Sequence, residues 1–223
     1  MKIKYKDDIA VIGVGRFGQA VIDELLHLNK SVIIIDKDEE GSKLYTDDVD
    51  RIIIGDAADM RTLKSIGIDQ IETVVVAVAD NIEIVAALQE LKVKNIIARA
   101  KSKRHARVLK QIGVTVIIRP EYESGTRAAL IAANKNFIRY SSDLQEIGDN
   151  FVIGSTTIKN AALNDKKVRE IGIAERGITI VLIKSKNVSK RATGDVVLKL
   201  DDIVTIIGEV GDVTSALQWF NEG

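Results

Sequence analysis

The amino-acid sequence predicts an α/β fold in which a doubly wound, parallel Rossmann-type sheet precedes a smaller α+β domain. Three observations predict it. Short β-branched runs alternate with longer helical patterns over residues 9–118, a glycine-rich segment directly follows the first run, and the pattern changes beyond residue 150. The first two observations together are typical of a nucleotide-binding domain.

Six apolar runs of three to five residues lack the polar alternation of a half-exposed strand, so they predict strands covered on both faces of a parallel sheet. These runs are Ile9–Ile12, Val32–Ile35, Ile52–Ile54, Val74–Val78, Ile96–Ala98 and Val116–Ile118. Crossover helices are predicted at Gly18–Leu28, Asp59–Ile66, Asn81–Leu91 and Lys103–Ile112. Asp80 and Glu83 match a capping box at the start of the third of these helices.

After Pro120, the only proline, the chain is predicted to leave the sheet. Tyr122–Tyr140 predicts a connector helix and Ser141–Asn150 a polar linker, which divides the chain into residues 1–140, 141–150 and 151–223. In the last part, strands are predicted at Phe151–Ile158, Ile178–Ile183 and Ile203–Ile207, short helices at Leu163–Gly172 and Val213–Phe220, and a hairpin or loop at Asn187–Gly194.

The composition argues against several classes of protein. Lysine plus arginine come to 32 and aspartate plus glutamate to 32, a balance that argues against a general nucleic-acid binder. The absence of cysteine excludes disulfides, thiolate zinc sites and cysteine nucleophiles, and two histidines leave little material for metal or triad chemistry. No apolar run has the length of a membrane span and the first eight residues are too polar for a signal peptide, so a cytoplasmic protein is expected.

The strongest local motif is a GxGxxG segment, Gly13-Val14-Gly15-Arg16-Phe17-Gly18, directly after the first predicted strand. Gly13 suits a tight turn, Gly15 the close approach of a phosphate, and Gly18 the close packing of the helix. Asp36 ends the second strand, where a carboxylate accepts hydrogen bonds from a ribose. This context favours nucleotide binding. The alternative is a degenerate site that keeps only its packing glycines.

Further candidate ligand residues follow the other strands. Arg16 is placed to reach a terminal phosphate. Alternatively, it is an ordinary solvent-exposed arginine at the start of a helix. Small residues after the third and fourth strands leave room for an adenine ring; Asp56 fits a ligand contact or a helix cap equally, and Asp80 is interpreted as a cap. The complete set of predicted nucleotide contacts is Gly13, Val14, Gly15, Arg16, Phe17, Gly18, Asp36, Lys37, Asp56, Ala57, Ala77, Val78, Ala79, Arg99, Arg119 and Glu121.

The charges are not balanced between Leu91 and Pro120, because this stretch contains nine basic residues and no acidic residue. Arg99 and Arg119 end predicted strands, so both are expected at the nucleotide edge, whereas the others are interpreted as a solvated face without the aromatics of a nucleic-acid surface. Glu121 follows directly. It fits a partner for Arg16 or Arg119, a ligand for a phosphate-bound cation, or an ordinary acidic residue at a helix start.

These motifs resemble the RCK (regulator of potassium conductance) proteins, in particular the cytosolic subunits of bacterial Ktr/Trk potassium uptake systems. The resembling segments are residues 12–18, 97–100, 108–113, 116–121, 168–172, 175–178, 200–204 and 207–208. The resemblance implies homodimers assembled into octameric rings below a membrane-embedded potassium translocation subunit, with ATP favouring the active state and ADP the inactive one.

The resemblance also implies roles for single residues. Arg16 matches an arginine that reaches the ATP terminal phosphate from a neighbouring protomer. Glu121 matches a carboxylate that lies near a divalent or monovalent cation between nucleotides, and Asp36 matches the ribose-binding acid. It further implies cyclic di-AMP binding by the C-terminal domain, although Ser189–Gly194 lacks the proline that is common there.

Three functions remain open from the sequence. The leading one is a non-enzymatic gate that senses ATP and ADP. The second is an NAD-dependent oxidoreductase with NAD or NADH in the same site, for which residues 151–223 supply neither histidine nor cysteine. The third is a ligand-sensing module without a channel partner.

Overall fold

Six parallel strands form the first sheet of the computed structural model, which describes residues 8–133 and 143–222. The strands are β1 (Asp8–Ile12), β2 (Ser31–Asp36), β3 (Arg51–Ile54), β4 (Thr73–Val76), β5 (Asn95–Arg99) and β6 (Val116–Ile118). Their spatial order is β3-β2-β1-β4-β5-β6, so the chain reverses direction across the sheet between β1 and β4. This confirms the predicted Rossmann-type sheet.

The sheet is covered on both faces, as its uniformly apolar strands predict. Ala10 and Ile12 of β1 belong to one buried cluster, while Val11, between them, belongs to a second cluster on the opposite face. The helices of this part are α1 (Arg16–His27), α2 (Glu39–Ser42), α3 (Met60–Ser65), α4 (Ile82–Glu90) and α5 (Lys103–Gln111). Each predicted crossover helix is therefore present, shifted by at most two residues at either end.

The C-terminal part contains a five-stranded antiparallel sheet with the order β10-β9-β11-β8-β7. Its strands are β7 (Asp143–Gly148), β8 (Phe151–Thr157), β9 (Ile178–Ser185), β10 (Val188–Arg191) and β11 (Ile203–Glu209). Two helices accompany it, α6 (Pro120–Ala133) and α7 (Val210–Glu222), and Phe220 of α7 is fully buried in the core of this domain. The smaller α+β domain is thus confirmed.

The predicted linker over Ser141–Asn150 is wrong for the residues that the structure describes. Residues 143–148 form β7, which pairs with β8, and Leu144 is 1% exposed within the core. The polar composition misled the prediction because β7 is an edge strand, which needs only one buried face. The chain divides into two compact units after Glu121, at the start of α6. The predicted connector helix begins at Pro120 and is described as far as Ala133; its remainder lies outside the described residues.

The predicted helix over Leu163–Gly172 is also wrong. Two 3₁₀ turns, Ala161–Leu163 and Val168–Glu170, occupy this region instead. Asp165 has a φ of 61°, in the left-handed region, and the backbone of Lys167 forms a β-bridge with Val197, so a continuous helix is interrupted twice. Within residues 8–133 and 143–222, no helix combines the length and the apolar character that crossing a membrane requires.

Candidate nucleotide-binding site

The glycine-rich loop joins the carboxyl end of β1 to the start of α1, and its three glycines meet three different constraints. Gly13 has a φ of +97°, and a Cβ there would lie 2.5 Å from Cγ1 of Val78. A Cβ on Gly18 would overlap the carbonyl oxygen of Gly13. A Cβ on Gly15, by contrast, would meet nothing within 4 Å, so the space beside the first residue of α1 is open.

This open space lies where a helix presents unpaired N–H groups and the positive end of its dipole. Neither an acidic residue in the first turn nor a side-chain cap occupies the start of α1. Arg16, the first residue of the helix, is exposed and has no ion pair among the described residues. The loop therefore offers backbone donors and one cation to an anion, which is the arrangement that a phosphate group needs.

Asp36 lies at the end of β2, and its carboxylate is fixed by the backbone. Oδ2 accepts a hydrogen bond of 2.5 Å from the N–H of Val14, and Oδ1 accepts one of 3.0 Å from the N–H of Asp38. The carboxylate thus holds the glycine loop against β2, while the two oxygens keep further lone pairs for a ribose hydroxyl. The sequence predicted the position of Asp36 but not its bond to the loop.

A cavity of about 210 Å³ lies at the point where the strand order reverses. Its lining comes from the segments that follow β1, β2, β3 and β4: Ile12, Gly13, Ile35, Asp36, Lys37, Gly55, Ala57, Val78, Asp80 and Ile84. The lining is largely apolar with a few polar groups at the mouth, as in small-molecule sites generally. Six of these residues, Gly13, Asp36, Lys37, Ala57, Val78 and Asp80, were singled out from the sequence.

Lys37, which lines the cavity, forms an ion pair with Asp56, with Nζ and Oδ2 3.0 Å apart. The other carboxylate oxygen of Asp56 accepts a hydrogen bond of 2.8 Å from the N–H of Ala58. This backbone bond and the lysine lower the pKa of the Asp56 carboxyl, so it is ionised near neutral pH. Asp59, not Asp56, caps α3. Asp56 therefore closes a turn and holds Lys37 beside the cavity.

Other predicted residues support the loop and the sheet around the cavity without lining it. Val14 is buried and supplies the N–H that Asp36 accepts, and Phe17 packs against the buried cluster on one face of the sheet. After β4, Ala77 is buried in the core and Ala79 is half-buried, while Val78 lines the cavity. Of the two segments after β3 and β4, Gly55, Ala57, Val78 and Asp80 line the cavity, whereas Asp56, Ala77 and Ala79 do not.

The predicted cap at Asp80 is wrong. Asn81 is the residue that precedes α4, without a side-chain hydrogen bond to the helix, and Asp80 forms an ion pair of 3.7 Å with Lys101. Asn81 is fully buried, and its amide donates to the carbonyl oxygens of Val78 at 2.9 Å and Arg99 at 2.8 Å. It ties the ends of β4 and β5 together, a role that no local pattern around one asparagine reveals.

Arg99 ends β5 and Arg119 directly follows β6 at the same edge of the sheet, since Arg99 is in register with Ile118. The partner of Glu121 is Arg99, with which it forms an ion pair, rather than Arg16 or Arg119. A hydrogen bond to the backbone N–H of Glu121 and the Arg99 guanidinium lower the pKa of the Glu121 carboxyl. Glu121 is the second residue of α6 and does not line the cavity.

The predicted metal role of Glu121 is not supported by a cluster of further ligands in the described part of the chain. Among the described residues, no three histidine, aspartate or glutamate side chains lie close enough together to hold a metal ion. The donor set around the cavity instead suits a nucleotide: open backbone at Gly15 for phosphate, Asp36 for ribose and an apolar lining for a base.

Comparison with known proteins agrees with this architecture. The TrkA-N domain family matches residues 9–120, and the TrkA-C domain family matches residues 155–221. Ktr system potassium uptake protein C of Bacillus subtilis (strain 168) is 30% identical over 214 residues, which cover 94% of this chain and 95% of that protein. Ktr system potassium uptake protein A of the same strain is 29% identical over 227 residues, covering 100% and 99%.

Solved structures share the fold. The crystal structure of the GsuK RCK domain matches with a TM-score of 0.61 and 17% identity, covering 98% of this chain and 48% of that one. The GsuK channel bound to NAD matches with a TM-score of 0.60 and 17% identity, covering 98% and 40%. This chain therefore spans about half of the former and less of the latter. With both domain families matched in order, the chain belongs to the TrkA-N and TrkA-C domain families, and it is similar over nearly its whole length to the Ktr system potassium uptake proteins.

Proposed function

We propose that this protein is a cytoplasmic regulatory subunit that senses nucleotides and gates a membrane-embedded potassium transporter, with ATP favouring the active state and ADP the inactive one. The observation that carries the proposal is the glycine loop, in which Gly13 lines a cavity that suits an adenosine, Gly15 has open space beside it, and Arg16 has no ion pair among the described residues. The potassium half of the proposal is supported by the Ktr potassium uptake proteins, which match over nearly their whole length.

Nucleotide identity biases a protein only if its two states bind ATP and ADP with different affinities. In this proposal Arg16 supplies the difference, because an exposed arginine that pairs with no carboxylate of residues 8–133 or 143–222 is available to a γ-phosphate that ADP lacks. We propose, from the resemblance to RCK proteins, that this contact is made across a protomer interface in a dimer that assembles into an octameric ring. Glu121 and a cation between adjoining nucleotides then add to the same contact.

Calorimetric titration of Arg16→Ala with ATP and ADP tests the proposal. The loss of a charge-assisted bond is expected to weaken ATP by about tenfold or more and ADP by much less. Arg191→Ala, which removes an exposed arginine from β10 in the C-terminal domain, is the matched control and leaves both affinities unchanged. An equal loss of both nucleotides in Arg16→Ala contradicts the proposed role.

An NAD-dependent oxidoreductase is the second candidate, and the fixed carboxylate of Asp36 favours it because a ribose 2′-hydroxyl bonds to such an acid. The GsuK channel, which shares the fold, was solved with NAD and with ADP. No histidine, however, lines the described cavity to move a proton. We regard NAD or NADH as alternative regulatory ligands and assign no catalytic residue.

A thermal-shift screen with ATP, ADP, NAD, NADH and cyclic di-AMP separates these possibilities, since a ligand that binds only the native state raises its stability. Stabilisation by ATP and ADP is the expected result. Stabilisation by NADH alone, together with hydride transfer, supports the oxidoreductase instead. Cyclic di-AMP is included because the C-terminal domain belongs to the TrkA-C family, and binding of this dinucleotide is proposed there as a second, inhibitory input.

A further inference from the structure

Helix α5 carries a strongly basic surface that the nucleotide site does not use. Lys103, Arg104, Arg107 and Lys110 are exposed, and at 100° per residue they occupy one side of the helix. His105 and Leu109, on the opposite side, are the residues that α5 buries. We name the four cations the α5 basic face.

The four cations of this face make no ion pair with any residue of the described chain. Other lysines and arginines of the same domain do pair, including Lys37 with Asp56, Lys94 with Glu72, Lys101 with Asp80 and Arg99 with Glu121. The helix also has no acidic residue in its first turn, where the dipole favours one, and begins instead with two cations after the cap Ser102. Four like charges thus stand close together without neutralisation, in a chain whose net charge is zero.

The chemistry of the face limits what it can bind. It presents no aromatic side chain on which a single-stranded base could stack and no exposed apolar side chain from which a protein interface could build a core. It offers cations alone. Cations alone are sufficient to bind a fluid layer of anionic lipid headgroups, because the headgroups move to match the spacing of the cations.

We propose that the α5 basic face binds the anionic surface of the membrane in which the transporter lies. This rests on the proposed function in one respect, since a subunit of a membrane transporter is held beside the inner leaflet. Electrostatic contact by several protomers at once strengthens a weak single contact. The face then contributes to the orientation of the regulatory subunit on the membrane, independently of which nucleotide is bound.

The test is co-sedimentation of the full-length protein with vesicles of phosphatidylcholine alone or mixed with phosphatidylglycerol. Binding is expected only to the mixed vesicles and is expected to weaken with added salt. The variant Arg104→Glu/Arg107→Glu is expected to bind them roughly 100-fold more weakly. The matched control, Lys30→Glu/Lys64→Glu, makes the same change in net charge at exposed positions elsewhere in the domain and retains binding.

Three results overturn the proposal: no binding of the wild-type protein to mixed vesicles, an equal loss in both double variants, or duplex DNA bound as tightly as the vesicles at the same salt concentration. Equally tight binding of duplex DNA would identify the α5 basic face as a general polyanion-binding surface. Calorimetry with ATP on the α5 variant shows whether it is folded. Loss of vesicle binding with unchanged ATP affinity supports the proposal, and absence of ATP binding in the wild-type protein contradicts the proposed function separately.

Discussion

Gly15 and Gly18 show at the scale of single residues how one motif serves two purposes. A methyl group on Gly15 enters open space beside the helix start, whereas one on Gly18 overlaps the backbone of Gly13. The backbone of Gly15, at φ −70°, is one that alanine adopts readily. Gly15 therefore leaves room for a ligand, and Gly18 permits the helix to pack against the loop.

The two alanine variants are expected to fail in different ways. Gly15→Ala keeps the thermal stability of the free protein but lowers ATP affinity by about tenfold or more, because the methyl group displaces phosphate from the backbone N–H groups. Gly18→Ala lowers the free energy of unfolding by about 1–3 kcal/mol through overpacking. Thermal denaturation and calorimetry measure the pair. A destabilised Gly15→Ala that binds ATP normally contradicts this division.

His105 gives the molecule a predicted sensitivity to acid. It is 6% exposed, and its burial, followed by the charge of Lys101, lowers its pKa when the protein is folded. As the pH falls through the ordinary range of histidine, the unfolded chain takes up the proton first, so stability decreases with acidification.

The variant His105→Gln is therefore expected to lose less stability than the wild-type protein between about pH 7.5 and about pH 5.5. Urea unfolding at the two pH values measures the difference. His27→Gln, at the exposed end of α1, is the control. Equal pH dependence of His105→Gln and the wild-type protein contradicts the assignment.

Much of the site at this scale could be predicted from the sequence, because the glycine spacing and Asp36 are local features. Contacts between distant segments could not. The bond from Val14 to Asp36, the tie that Asn81 makes between two strands, and the pairing of Glu121 with Arg99 each join residues at least 18 positions apart. No spacing rule specifies which of several nearby arginines a carboxylate selects.

At the scale of elements, the six parallel strands were predictable because each contains a short run of apolar residues, including the edge strands β3 and β6. Two elements of the C-terminal part were not. β7 combines one buried residue, Leu144, with polar neighbours and was interpreted as a linker, while left-handed backbone at Asp165 replaced a predicted helix by 3₁₀ turns. Both errors arise where tertiary pairing outweighs local composition.

A strand and a linker respond differently to mutation, which gives a test of β7. Leu144→Ala is expected to lower the free energy of unfolding of the C-terminal domain by about 2–5 kcal/mol, because its side chain is buried in the core. Ile147→Ala, in the same strand but 55% exposed, is expected to change it by less than about 0.5 kcal/mol. Denaturant unfolding compares them. Equal, small effects restore the linker interpretation.

At the scale of the whole molecule, the balanced charge of the sequence conceals a local asymmetry. The basic stretch between Leu91 and Pro120 includes two arginines at the ends of strands and four cations on α5. The proposed link with potassium uptake is supported by the Ktr system potassium uptake proteins, to which the chain is similar over nearly its whole length.

The most direct test of the proposed gating is potassium flux in the presence of each nucleotide. Rubidium uptake is measured in right-side-out membrane vesicles from cells with and without this protein, with ATP or ADP enclosed. The account predicts faster uptake with ATP than with ADP, and no such difference when the protein is absent or carries Gly15→Ala. Uptake that is equal with both nucleotides, or a difference that persists without the protein, would contradict it.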